Sequence, residues 1–154
     1  MYSTMLVAHS WLRWVVLAAA LVASVRSLGG LNGRRAWTPA DDRAGRLFVI
    51  ALDLQLLIGL LLYFVLSPFM DTVREQIDVA MRTGAMRYWL VEHPFGMLVA
   101  LALAHVGRVR IRKATDPRRK HRLAAIFFGL ALLAIAVSLP WPGMATARPL
   151  LRMP

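Results

Sequence analysis

The chain has 154 residues, 58% of them hydrophobic, a formal net charge of +11 and no cysteine. That length allows one domain, 1–154, and a mean hydropathy of +0.56 lies above that of ordinary soluble domains. Disulfides, thiolate-held metals, iron–sulfur clusters and covalent c-type haem attachment are excluded, and an isoelectric point near 11.6 does not by itself imply nucleic acid as a partner, because the basic residues crowd into short links between apolar segments.

Four such segments are expected to be helices, at approximately 5–28, 47–66, 88–109 and 123–139. Each is roughly 17–24 residues, enough at about 1.5 Å per residue to cross a hydrocarbon core of roughly 30 Å. Helices are the solution there because every backbone polar group must be satisfied within the segment. The chain's first eight residues carry no Lys or Arg, and Arg13 interrupts the first segment, around HSWLRWVVLAAALVASV. It therefore reads as a retained helix rather than a cleaved signal. Gly29-Gly30 and Asn32-Gly33 mark the turn after it. The second, LFVIALDLQLLIGLLLYFVL, stops at Ser67-Pro68, and the fourth at Pro140-Trp141-Pro142. Between the second and third, Val73, Ile77 and Met81 stand opposite Arg74, Glu75, Asp78 and Arg82. This pattern predicts a short amphipathic surface helix over approximately 70–82, as a packing lid or as a cover over a site; amphipathicity alone favours packing.

Orientation follows from the links. The first holds Arg26, Arg34, Arg35, Arg43 and Arg46 against Asp41 and Asp42. The third holds Arg108, Arg110, Arg112, Lys113, Arg118, Arg119, Lys120 and Arg122 against Asp116, whereas the second balances its charges. The positive-inside bias puts links one and three in the cytoplasm. The expected architecture is an all-α, up-down-up-down four-helix bundle, multi-pass in a bacterial inner membrane, with both termini on the outer (periplasmic) side. Trp11, Trp14, Trp89 and Trp141 would then form an outer aromatic belt, with Trp37 in the inner link.

Ionisable side chains inside a bilayer are costly and point to function. His9 and His93 lie at similar depth in the first and third helices, which run in the same direction. Across a bundle core, two such imidazoles suit axial ligation of a haem iron; otherwise they are interfacial histidines bonded to backbone or water. Gly96, one turn beyond His93, would clear room for a porphyrin face. Arg13, one turn from His9, would pair with a haem propionate or with Glu92, or only snorkel and lock helices one and three together. Asp53 and His105 have similar depth in helices two and three and are expected to pair, as a structural contact or a proton-handling one. Met97 is a further potential ligand, though apolar filling is the commoner role of Met. His121, in RRKHR, reads as a solvated loop residue without a role.

The strings HSWLRWVV, LQLLIGLLLYFVLSP, VEHPFGMLVALALAHVGR and KHRLAAIFFGLALLAIAVSLPWP resemble a family of small bacterial four-helix membrane proteins labelled cytochrome b or cytochrome b-like, over nearly the whole chain. The resemblance implies His9 and His93 as ligands of haem b, with Arg13 and Glu92 nearby. It departs at Asp53, where the family often carries a histidine before LQLLIG; with that position lost, one haem at most is implied. The expected function is electron transfer between quinol and a partner within a larger respiratory or photosynthetic assembly, in contact with lipid and with other subunits or further copies of the chain. A cofactor-free structural subunit, or a small transporter or proton conductor using Asp53 and His105, are the alternatives. Whether the chain is itself an oxidoreductase stays open.

Overall fold

The structure, a computed structural model, describes residues 1–149, 151 and 152, and every regular element among them is helical. Helix α1 spans Tyr2–Leu28, and α2 spans Pro39–Leu61 before widening into a π-helical turn at Leu62–Leu66. Short helices α3 (Pro68–Glu75), α4 (Ile77–Arg82) and α5 (Gly84–Arg87) lead through a second π-helical turn, Tyr88–Glu92, into α6 (His93–Lys113). Helix α7 is Pro117–Val137. The four long stretches are 27, 28, 30 and 21 residues and apolar enough to cross a membrane. This is the pattern of a multi-pass membrane protein.

Helix α1 packs on α2 and α7, α7 packs on α6, and α6 meets α2, so α1 and α6 lie across the bundle from each other. The interior is built from small side chains. Ala20, Ala100, Ala104, Ala124 and Ala131 are fully buried, while Leu21, Val22, Leu57 and Leu133 are exposed. In lipid there is nothing to gain from hiding leucine, whereas alanine lets helix backbones approach and gain dispersion contacts. Phe48 and Phe128 are buried among them, edge to face at 5.6 Å.

The helices outrun their apolar stretches. Helix α2 begins about two turns before Leu47, where Thr38 and Asp41 form a reciprocal capping box followed by Pro39 at the first helical position. Asp116 caps α7 by accepting from the Arg119 amide at 2.7 Å, so α7 starts at Pro117 rather than near 123, and α6 continues to Lys113. Hydropathy marks depth in a bilayer; caps mark where helical hydrogen bonding stops.

The segment over 70–82 is not one amphipathic helix. It breaks at Gln76, whose ψ of 50° lies outside the helical region, and the break resets the helical phase. Val73 is buried, but Ile77 and Met81 are exposed, and the packed face is Met70, Val73 and Ala80 against Tyr63, Trp89 and Leu90.

Candidate functional site

A cavity of about 430 Å³ lies among α1, α2, α6 and the segment following α7. Its walls are mostly apolar, and its volume falls within the roughly 300–1,000 Å³ of small-molecule sites. His9, Ser10 and Arg13 reach it from α1, Gln55 and Gly59 from α2, and Trp89, His93 and Met97 from the α6 stretch. Sequence reasoning put His9 and His93 at equal depth; the fold puts both on one wall system.

The two imidazoles are held differently. His93 Nδ1 lies 2.8 Å from the Ser138 carbonyl oxygen. A carbonyl only accepts, so Nδ1 carries the proton and Nε2 keeps its lone pair. That is how protein orients a metal-ligating histidine. The Tyr88 hydroxyl donates to the same oxygen at 2.6 Å, and the Trp89 ring stands 5.4 Å from the imidazole. The π-helical turn at Tyr88–Glu92 brings these three rings together, and wide turns of this kind recur at functional sites. On α1, the backbone carbonyl of His9 accepts from Gln55 Nε2 at 3.0 Å. His9 Nδ1 and Gln55 Oε1 are buried with no hydrogen-bond partner. Each such orphan costs about 1–3 kcal/mol, which a ligand pairing with it would recover. Gly59 lets α2 come close: a Cβ there would stand 3.2 Å from His9 Cε1.

Three arginines join this otherwise apolar space. Arg13 donates to Ser10 Oγ at 3.3 Å and lies over the Trp14 ring. Arg148 stacks over Phe69 and Trp89 at 5.2 and 5.4 Å, and Arg152 is tied down by its carbonyl, which accepts from Trp11 Nε1 at 3.0 Å. Trp89 and Trp11 thus hold the returning segment against the cavity. No apolar-run pattern in 141–152 signals this return.

Two expectations are corrected. Gly96 does not open room beneath His93. A Cβ there would meet Ser138 Oγ at 1.8 Å, so the missing side chain admits the end of α7. Glu92 pairs with Arg87 at 2.8 Å rather than with Arg13, because the π-helical turn swings it to the outside.

Elsewhere, His105 Nε2 lies 2.8 Å from Asp53 Oδ1, joining α6 to α2. Towards the basic end, Arg108 grips Asp42 bidentately at 2.7 and 2.9 Å. Asp41 is buried and receives Thr38 N at 2.9 Å, Thr38 Oγ1 at 2.7 Å, Arg26 Nε at 2.9 Å and Arg35. His121 is the largest surprise. It is fully buried at the start of the second turn of α7, edge-on to Trp37 at 5.0 Å, with its ring so close to Gly30 that a Cβ there would sit 2.1 Å from Cδ2. The sequence signals were present in Thr38-Pro39-Ala40-Asp41 and Gly29-Gly30, but the surrounding charge read as solvated link.

Among the described residues no group of three or more His, Cys, Asp or Glu could hold a bare ion. Two imidazoles suit an iron whose other positions a macrocycle already fills, and guanidiniums beside an apolar space suit the acid groups such a macrocycle carries. Imidazole and guanidinium are the side-chain types that hold haem b by its iron and its acid groups. Compared with known proteins, the chain matches no family, no curated protein and no solved structure.

Proposed function

We propose that this protein is a membrane b-type cytochrome that holds one haem between His9 and His93. The observation that carries the reading is the pair of imidazoles lining one apolar cavity, with His93 Nδ1 already committed to the Ser138 carbonyl. Bound there, haem supplies one-electron transfer at its iron. His93 presents Nε2 in a fixed orientation, and His9 stands on the facing helix with its Nδ1 unpartnered. Arg13, Arg148 and Arg152, which line the cavity, would pair with the acid groups of a bound haem, and the apolar walls would exclude water.

In this reading the helices run up-down-up-down in a bacterial inner membrane, with the basic links in the cytoplasm and both termini outside. The chain serves as an electron-transfer subunit between quinol and a partner in a larger assembly. The test is the visible spectrum of protein purified from haem-replete cells. A low-spin reduced α band is expected, lost in His9→Ala and in His93→Ala and kept in Arg112→Ala on the exposed end of α6. Colourless natural protein would overturn the reading in favour of a cofactor-free structural subunit.

A further inference from the structure

Asp53 and His105 form a polar pair on the outside of the bundle. The two side chains are 41% and 49% exposed, although both stand within stretches apolar enough to cross a membrane. On the same helix faces, Ile50 and Leu57 flank Asp53, and Leu98, Ala102 and Val109 flank His105, all of them exposed. A half-exposed carboxyl and imidazole facing hydrocarbon are expensive, and polar groups there ordinarily meet protein. Neither Asp53 nor His105 lines the cavity, although Leu98, at one end of this face, does.

The bond between them satisfies one atom of each. His105 Nδ1 and Asp53 Oδ2 are left over, and with the ring proton on Nδ1 the pair offers one donor beside one acceptor. Neither atom has another partner among the described residues. A donor beside an acceptor is complementary to the same two atoms exchanged left for right. A twofold axis along the membrane normal makes that exchange and keeps both copies at one depth.

We propose that the α2–α6 face docks against a second copy of this chain, with His105 Nδ1 of each copy donating to Asp53 Oδ2 of the other. Ala102, one turn from His105, lets the backbones approach, as small residues do at helix interfaces in lipid. Leu57 and Val109 then pack at the edges of the contact.

The absence of cysteine makes the test clean. Full-length protein carrying Ala102→Cys, oxidised in native membranes, is expected to form a disulfide-linked dimer, whereas Val22→Cys on the exposed face of α1 stays monomeric. In liposomes, energy transfer between labelled full-length copies should report self-association that weakens roughly tenfold in His105→Leu and in Asp53→Leu, from the loss of two interhelical hydrogen bonds. The exchanged variant Asp53→His/His105→Asp rebuilds one donor and one acceptor and should associate like the natural chain. Monomers at every lipid dilution, or dimers indifferent to both single substitutions, would overturn the proposal. The α band is read on the same samples, so failure of the dimer and failure of the haem reading are seen separately.

Discussion

Replacing Gly96 with alanine tests how the fold aims His93. The added Cβ would fall 1.8 Å from Ser138 Oγ and 2.8 Å from Ser138 Cβ, so the end of α7 must move away from α6. Overpacking of this kind costs about 1–3 kcal/mol. Moving Ser138 also strains two hydrogen bonds that end on its carbonyl, from Tyr88 and His93, each contributing about 0.5–1.5 kcal/mol. Against this, alanine within a helix gains about 0.5–1 kcal/mol over glycine. The net expectation is a loss of about 2–4 kcal/mol, or roughly 4–16 °C in Tm for a chain of this size. Thermal unfolding in detergent measures it. Ser138→Gly removes the opposing atoms, so Gly96→Ala/Ser138→Gly should recover about 1–3 kcal/mol of the loss as a coupling energy. If Gly96→Ala stabilises the protein, or if Ser138→Gly rescues nothing, the packing of α7 on α6 at this point is wrong, and with it the account of how His93 is oriented.

His121→Ala should lower stability by about 2–4 kcal/mol in the same unfolding assay, since it empties the space between Trp37 and Gly30; an unchanged Tm would mean that the imidazole is solvated after all. Asp41→Ala should cost about 3–5 kcal/mol, because it strips the partner from Arg26 and Arg35 and the acidic half of the capping box from α2, while Asp78→Ala in the exposed α4 should cost little. Single cysteines at Ser3 and Thr115 test topology: an impermeant thiol reagent added to intact cells should label Ser3→Cys and spare Thr115→Cys, and the reverse pattern would refute the proposed orientation.

The four long helices are legible in the apolar runs alone, because such a run has one structural answer in lipid. Also legible is which polar residues share a level, since depth in a membrane is counted along the chain: His9 with His93, and Asp53 with His105. Which way those residues turn comes from how the helices pack. In a soluble helix the apolar stripe reveals the buried face, but here the lipid face and the core face are both apolar, so periodicity carries almost no rotational phase. Gly96 looks like clearance for a ligand until α7 is seen to need it. Asp41 and His121 look like charged link until Thr38 and Asp116 are seen to cap helices that carry them inside. Arg148 and Arg152 join the cavity only because Trp11, Trp89 and Phe69, distant in sequence, hold the chain after Pro142 against it. Those contacts depend on how helices cross, which no count along one chain contains.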